Sequence, residues 1–149
     1  MKNVAIAALA LAATALPAAA QQMKPETQIH LRQSTMALIG YNFGSLAAMA
    51  QDKKPFNKEE AQRNADILPM LAALPKPFFG EGTETGGNTK AKPEIWKNLP
   101  DFTSKLEKMQ QDVGKLPEVV RSGDMAAFKK QVSDVGAACK SCHDEFRAK

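Results

Sequence analysis

Two cysteines and a histidine stand together near the C-terminus, in the pentad Cys139-Lys140-Ser141-Cys142-His143. The chain of 149 residues contains only two cysteines and two histidines, so this pentad holds most of its thiol and imidazole chemistry. The spacing is that of c-type haem attachment. Each thiol adds to one porphyrin vinyl group and forms a thioether, and the imidazole that follows can reach the iron as a proximal ligand. We therefore predict one covalent haem c, held by Cys139, Cys142 and His143.

Helical spacing would bring these three side chains together. On a helix, Cys139 lies three residues from Cys142 and four from His143, so that all three share one face. The alternatives are a thioredoxin-like redox pair, half of a zinc site and a structural disulfide. A redox pair is expected near a βαβ pattern, which the sequence does not show. A structural zinc site requires four ligands, which the second histidine, His30, does not complete; His30 is predicted to lie at the surface.

The first twenty residues have the three parts of a secretory signal. A short charged start at residues 1–3 precedes an apolar run rich in alanine and leucine, and Ala18-Ala19-Ala20 provides a small-residue cleavage site. The apolar run is shorter than a typical membrane span. We predict cleavage after Ala20, export to the periplasm, where haem c is attached, and no membrane anchor.

Residues 21–149 are expected to form a single haem domain. The chain has 20 basic and 16 acidic residues, and Lys2 is the only charged residue before position 21, which leaves a formal net charge of +3. This charge is too small and too dispersed to indicate a nucleic-acid partner. It is compatible with a small, acidic redox-partner protein and equally with a solvated surface.

Apolar residues recur at helical intervals, which favours an all-α chain. A first helix is predicted from near Pro25, a residue suited to the first turn, to about Ala50. A second follows Asn57, which forms a capping-box pattern with Glu60, and Pro69 is expected to kink or break it. The predicted apolar face of the first helix contains Ile29, Gln33, Met36, Gly40, Phe43 and Ala47, and that of the second contains Ala61, Asn64, Ala65, Leu68, Leu71 and Ala72.

Prolines and glycines interrupt residues 75–93 too often for a regular helix, and a long loop is predicted there. A long loop in a compact bundle is often functional. Phe78, Phe79 and Trp96 are candidates to anchor it, either against the core or against a haem edge.

Two more helices are predicted in the C-terminal part of the chain. The third starts near Pro100, bends at Pro117 and ends at Gly123, which suits a left-handed C-terminal position, and Asp124 can cap the fourth. The third helix has a coiled-coil-like seam of Phe102, Leu106, Met109, Val113, Leu116 and Val120, and the fourth has a seam of Met125, Phe128, Val132, Val135, Cys139, Cys142 and Phe146.

The haem cysteines share the seam that packs the core, so the porphyrin is expected inside the bundle. Gly136, one turn before Cys139, is expected to allow close approach of the ring or of a neighbouring helix. The predicted fold is all-α: an antiparallel four-helix bundle with covalent haem held by the C-terminal helix.

The sequence resembles the cytochromes c′, the class II c-type cytochromes, over essentially all of residues 21–149. Cytochromes c′ are themselves four-helix bundles. The position of the pentad separates class II from class I, whose haem motif lies near the N-terminus. The resemblance rests on the pentad with Asp144-Glu145-Phe146-Arg147, on Lys24-Pro25-Glu26 and Arg32-Gln33-Ser34, and on the motifs Leu74-Pro75, Phe79-Gly80-Glu81-Gly82-Thr83-Glu84 and Lys92-Pro93-Glu94-Ile95-Trp96.

The resemblance implies roles for four further residues. Arg147 matches a basic residue beside the proximal face, where it can influence the imidazole and a proximally bound nitric oxide. Arg32 matches a residue near a haem propionate, a sensible guanidinium–carboxylate pair, and Gln33 is a second propionate candidate. Met36 matches the distal position, over the sixth site of the iron.

Two functions follow from the two possible roles of Met36. As an apolar plug, it would leave five-coordinate, high-spin iron that takes up nitric oxide or carbon monoxide, while water and anions gain little in a dry pocket. As an axial ligand, it would give a low-spin His/Met electron-transfer cytochrome. The loop motifs favour the plug. We therefore expect a periplasmic gas-binding haem protein able to cycle its redox state, with the electron carrier as the alternative.

Catalysis is not expected, because the distal region offers no general acid or base. The resemblance also implies a homodimer formed through the first two helices. Small apolar residues on those helices, which also suit core packing, are Ala47, Ala48, Ala61 and Ala65.

Overall fold

The computed structural model describes residues 23–149, in which four long helices form an antiparallel bundle. The predicted secretory signal, residues 1–20, lies outside the described residues. The helices are α1 (Pro25–Ala50), α2 (Lys58–Ala73), the short α3 (Glu94–Lys97), α4 (Leu99–Ser122) and α5 (Met125–Phe146), and a 3₁₀ turn spans Lys76–Phe78. The predicted all-α bundle is confirmed.

Neighbouring long helices run antiparallel around the bundle, in the order α1, α2, α4, α5. Between α2 and α4, Gln62 Nε2 donates to Pro117 O (3.2 Å) and Gln110 Nε2 donates to Ala72 O (3.0 Å), so residue numbers rise on one helix as they fall on the other. Between α5 and the end of α1, Lys129 pairs with Asp52 at 2.7 Å. The C-terminal end of α5 therefore lies at the same end of the bundle as the start of α1. No helix within residues 23–149 is both long enough and apolar enough to cross a membrane.

Local capping fixes the ends of the helices where the sequence predicted it. Asn57 Oδ1 accepts a hydrogen bond from Glu60 N at 2.9 Å. Asp124 Oδ1 accepts from the backbone N–H groups of Ala126 (2.9 Å) and Ala127 (3.0 Å). Gly123 ends α4 in the left-handed region, with φ of 76°. These contacts satisfy backbone groups that a helix end leaves without partners.

The prolines inside helices do not interrupt them. Pro69 lies within α2 and Pro117 within α4, and both helices continue through them. A proline removes one backbone hydrogen bond, and the buried neighbours Leu68, Leu71 and Ala72 hold α2 against the core at this point. Of the predicted kink or break at Pro69, the break is therefore wrong, and the kink stays a prediction.

Three of the four predicted helix faces form the core. The α4 seam is buried throughout, and so is the α2 face except for the half-buried Asn64. On α5 the buried seam residues are Phe128, Val132, Val135 and Phe146, while Met125 at its start is exposed.

Of the predicted face of α1, only Ile29 is fully buried, whereas Met36, Phe43 and Ala47 are half-buried and pack against the edge of the core. The buried residues of α1 are Gln28, Ile29, Arg32, Thr35, Ile39, Leu46 and Met49. Four residues of the predicted face also line a cavity: Gln33, Met36, Gly40 and Phe43. Helix α1 thus has two apolar faces, one toward the core and one toward the cavity, and periodicity alone does not distinguish them.

Candidate haem site

A cavity of about 740 Å³ lies between α1, α4, α5 and the loop that follows α2. This volume is within the range of small-molecule and cofactor sites. The cavity is lined by all seven residues that the sequence singled out: Arg32, Gln33, Met36, Cys139, Cys142, His143 and Arg147. Residues from the two ends of the chain meet here because α1 and α5 are neighbours in the bundle.

Helix α5 places the cysteines and the histidine of the pentad on the cavity wall. Cys139 and Cys142 are half-buried and are not joined in a disulfide. Burial raises the pKa of the Cys139 thiol and, although Lys105 acts in the opposite direction, raises the pKa of Cys142 to about 11. Both groups are therefore neutral thiols at physiological pH, a form that suits an apolar wall.

The His143 imidazole is held in its neutral form. The residue is exposed overall, but partial loss of hydration at the cavity is the main cause of its lowered pKa, and the positive charge of Arg147 lowers the pKa further. A neutral imidazole has a free nitrogen lone pair, which is the form that ligates iron.

Helix α1 forms a wall without ionisable groups from Met36 onward. Its lining residues there are Met36, Ala37, Ile39, Gly40 and Phe43. Met36 is half-buried and packs against the core cluster. In this stretch of the wall no side chain can act as a general acid or base.

Arg32 fastens the loop that closes one side of the cavity. We call residues 78–92 the strap. The Arg32 guanidinium donates to Thr83 O (2.8 Å), Thr83 Oγ1 (3.1 Å), Thr89 Oγ1 (2.6 Å) and Phe78 O (3.4 Å). Its Cζ also lies 5.0 Å from the centroid of the Phe79 ring. The residue is 4% exposed, and burial lowers its pKa although Glu84 acts in the opposite direction. Arg32 is thus a buried clamp on the strap.

Aromatic residues anchor the strap to the core, which is one of the two predicted alternatives, the other being anchoring against a haem edge. Trp96 Nε1 donates to Phe79 O (3.1 Å) and Gly80 O (3.2 Å). The rings of Phe79 and Phe102 have centroids 4.6 Å apart, and Phe102 in turn packs against Phe146 at 5.5 Å. Phe79 and Phe102 also line the cavity, so this cluster joins the core to the site.

The other end of the strap is tied to the end of α5. Ala91 and Arg147 form an antiparallel β-bridge, with Lys92 N donating to Phe146 O (2.9 Å). The Lys92 ammonium donates to Glu145 O (2.8 Å), a carbonyl near the end of α5. Arg147, directly after α5, is exposed and is held beside the cavity by this bridge. The strap therefore connects the α1 wall with the α5 wall.

Sequence reasoning missed several residues of the site. Lys90 and Lys105 line the cavity, as do Asn88 and Thr89 of the strap. Lys105 Nζ lies 3.4 Å from a carboxylate oxygen of Glu145, and this contact is the main cause of its raised pKa. The position of Lys105 in the helix, directly before Leu106 of the α4 seam, could have predicted that it borders the cavity. For the strap residues, the sequence offered no such indication beyond the loop motifs.

The residues that line the cavity fit an amphipathic, anionic ring system. Arg32, Lys90, Lys105 and Arg147 line it, whereas no Asp or Glu is among its lining residues in the part of the chain that the structure describes. The remaining lining is mostly apolar, so a flat apolar ring with carboxylate substituents matches both parts. With two thiols and a neutral imidazole on one helix, the site defines a class of protein, the helical-bundle c-type haem proteins.

Comparison with known proteins identifies the family. A family model described as Cytochrome C′ matches residues 27–147, and the chain belongs to this family. It is 41% identical over 129 residues to cytochrome c′ of Rubrivivax gelatinosus, covering 87% of this chain and all of that protein. It is 32% identical over 153 residues to cytochrome c-554 of Cereibacter sphaeroides, covering 100% of this chain and 99% of that protein.

Solved structures agree with this assignment. The crystal structure of the Rubrivivax gelatinosus cytochrome c′ has a TM-score of 0.80 at 41% identity, covering 85% of this chain and 99% of that one. A nitric oxide complex of a mutant cytochrome c prime from Alcaligenes xylosoxidans has a TM-score of 0.77 at 36% identity, covering 85% and 97%. Proteins of the cytochrome c′ family carry a covalently bound c-type haem, so the predicted family and cofactor are confirmed.

Proposed function

We propose that this protein binds nitric oxide and carbon monoxide at a distal site covered by Met36, with His143 as the only protein ligand of a five-coordinate, high-spin iron. The haem iron supplies an open coordination position for a diatomic gas. In this proposal Cys139 and Cys142 hold the ring through thioethers. The observation that carries the proposal is the apolar α1 wall, which contains Met36 and no ionisable side chain from there to Phe43.

The chemistry of this wall favours small neutral ligands. An anion or a water molecule that enters an apolar site loses hydrogen bonds that Met36, Ala37, Gly40 and Phe43 do not replace. A neutral diatomic molecule loses little hydration and needs only that the Met36 side chain move aside. The absence of an acid or base on this wall is also why we propose a binding protein able to cycle its redox state and not an enzyme.

The comparisons support gas binding in the family. Structures of nitric oxide complexes of cytochrome c prime from Alcaligenes xylosoxidans are among the similar chains, at 36% identity. The similarity covers 85% of this chain.

Basic and amide groups around the cavity have proposed roles toward the haem edge. Arg32 and Gln33 face a propionate in this proposal, and Arg147 lies on the proximal side beside His143. Gln33 Nε2 already donates to Asn88 Oδ1 at 3.0 Å, and Arg32 holds Thr83 and the rest of the strap. A carboxylate on this side would therefore meet groups that the strap has already oriented.

Substitution of Met36 distinguishes the plug from the low-spin alternative. Leucine fills similar space but has no thioether. If Met36 is a plug, Met36→Leu keeps the high-spin optical and electron paramagnetic resonance spectra of the wild type, and Met36→Ala accelerates carbon monoxide uptake by the ferrous protein. Met125→Leu, which changes an exposed methionine at the other end of α5, is the control and should leave spectra and uptake unchanged.

The opposite result would identify an electron carrier. In that case the wild-type protein is low-spin and takes up carbon monoxide poorly, and both Met36→Leu and Met36→Ala convert it to high-spin. Met36 would then be the sixth ligand, and the gas-binding proposal would be wrong.

We also propose a homodimer through α1 and α2. Ala61 and Ala65 are fully buried inside the monomer, so of the two alternatives for these residues the structure shows core packing. The large exposed apolar residues of the two helices are Leu38, Tyr41, Ile67 and Met70, with Leu74 directly after α2. Sedimentation equilibrium of wild type and Tyr41→Lys tests this, since a charge in a self-associating apolar face weakens the dimer.

Periplasmic location and a redox-partner protein complete the proposal. The location rests on the predicted signal at residues 1–20 and on haem c attachment outside the cytoplasm, and the redox partner rests on the formal net charge of +3 of residues 21–149. Cell fractionation with the native leader and with Lys2–Ala20 deleted tests the location. We expect haem-containing protein in the periplasmic fraction only when the leader is present. Equal amounts of it in that fraction without the leader would refute the proposal.

A further inference from the structure

The last turn of α5 has its carbonyl groups satisfied from outside the helix. The last four C=O groups of a helix have no partner within it, and in α5 these belong to residues 143–146. His143 O accepts a hydrogen bond from Arg147 N at 3.1 Å, directly after the helix. The other three carbonyl groups all accept from one residue of the strap, Lys92.

Lys92 makes three contacts with these carbonyl groups. Its backbone N–H donates to Phe146 O at 2.9 Å, and its ammonium donates to Glu145 O at 2.8 Å and to Asp144 O at 3.3 Å. A cation at the C-terminal end of a helix also complements the partial negative charge of the helix dipole. The ammonium contacts span 52 and 53 positions of the chain, so the strap supplies the cap of α5.

The turn that Lys92 caps carries two residues of the haem site. His143 lies at its start and Arg147 follows it directly, and both line the cavity. Because His143 is an exposed residue, tight packing does not fix its ring, and the direction of the ring follows from the helix backbone that carries it. Helix ends fray unless their carbonyl groups have partners. Fraying of this turn would therefore turn the imidazole.

We propose that Lys92 is a positioning residue for His143: by capping the last turn of α5, it fixes the direction in which the imidazole meets the iron. The inference rests on the proposed role of His143 as iron ligand, which is the same in the gas-binding protein and in the low-spin alternative.

Other contacts dock α5 in the bundle. Phe146 is buried and packs against Phe102 of α4, and Lys105 of α4 pairs with the Glu145 carboxylate at 3.4 Å. These side-chain contacts do not occupy the final carbonyl groups of the helix. Loss of the Lys92 ammonium should therefore loosen the last turn while α5 stays docked and the protein folds.

Replacing Lys92 by methionine tests the inference on the ferric holoprotein. Lys92→Met removes the ammonium and keeps the backbone N–H. Hydrogen exchange of residues 143–149, followed by mass spectrometry, should accelerate about tenfold, as expected for the loss of one or two hydrogen bonds from a charged donor. The electron paramagnetic resonance lines of the ferric iron should broaden, because the imidazole takes a wider range of directions.

Lys149→Met is the matched control. The charge of Lys149 acts on the Asp144 carboxylate at the same end of α5. This variant removes one positive charge from the same region while Lys92 keeps its three hydrogen bonds. Its hydrogen exchange should stay within about twofold of wild type, and its line widths should not change.

Three outcomes would refute the inference. Faster exchange with unchanged line widths in Lys92→Met would mean that Lys92 holds the helix end without positioning the imidazole. Equal broadening in both variants would mean that charge is responsible and capping is not. Exchange in Lys92→Met as slow as in wild type would mean that the turn does not need the cap.

These results are distinguishable from failure of the proposed function. A wild-type protein that is low-spin and takes up no carbon monoxide refutes the gas-binding proposal. Hydrogen exchange and the ferric spectrum need no gas, so the comparison of Lys92→Met with Lys149→Met still decides the role of Lys92.

Discussion

Replacing Arg32 by methionine should release the strap and destabilise the protein. The substitution removes four hydrogen bonds, with lengths from 2.6 to 3.4 Å, and leaves Thr83 O and Phe78 O without that donor. A net value of about 0.5–1.5 kcal/mol for each bond gives an upper limit near 6 kcal/mol. Burying the guanidinium charge has a cost that offsets part of this sum. We therefore expect the free energy of unfolding to fall by about 2–4 kcal/mol, measured by urea denaturation of the holoprotein at pH 7.

Two further arginine variants show whether the four-bond geometry is responsible. Arg63 is the matched control, since its side chain is 63% exposed and pairs with Glu59 at the surface, so Arg63→Met should cost less than about 0.5 kcal/mol. Arg32→Lys keeps the positive charge but cannot reproduce a planar fork of donors, and it should recover less than half of the lost stability. Full recovery by lysine would show that charge alone is sufficient. Equal costs for Arg32→Met and Arg63→Met would show that Arg32 does not hold the strap.

Two other substitutions test contacts outside the cavity. The Asp112 carboxylate is 3% exposed, and burial, the largest single influence, raises its pKa. The hydrogen bonds and the positive charges of Lys108 and Lys115 together outweigh burial and hold the pKa below its ordinary value of 3.8. A lowered pKa in the folded state stabilises the fold above the pKa of the unfolded chain, and this stabilisation is lost as pH falls through the folded pKa. Asp112→Asn should therefore lower the free energy of unfolding by about 1–3 kcal/mol at pH 7, measured by urea denaturation. The difference from wild type should shrink below about pH 4, and a difference independent of pH would contradict this reasoning. Gly80→Ala would place a methyl group 2.7 Å from Oε1 of the buried Gln28, whose oxygen accepts from Gly80 N at 3.2 Å, and should lower stability by about 1 kcal/mol in thermal denaturation. An alanine at the unobstructed, helical Gly114 is its control and should not destabilise.

Local signals in the sequence predicted the helices and most of the core. The caps at Asn57 and Asp124 depend on residues two or three positions away, and the α4 seam repeats within one helix, so both are visible without a fold. Where a local rule competed with packing, packing prevailed: α2 continues through Pro69 because its flanking residues are buried.

The pentad predicted the cofactor for the same reason. Its chemistry is local, since two thiols and an imidazole on adjacent turns suffice to define the attachment. The positions of Arg32, Gln33, Met36 and Arg147 around one cavity agree with the expected site, and their individual roles remain proposals.

Only the tertiary structure decided what α1 does. Its periodicity shows apolar residues on more than one face, and which face meets the core depends on the helices packed beside it. The hydrogen bonds of Arg32 span 46 to 57 positions of the chain, and no pattern within a helix specifies such a contact. The sequence by itself predicted which groups bind the haem, because that chemistry lies within one turn and a half of helix; the packing of α1, α5 and the strap determined the shape of the cavity that these groups line.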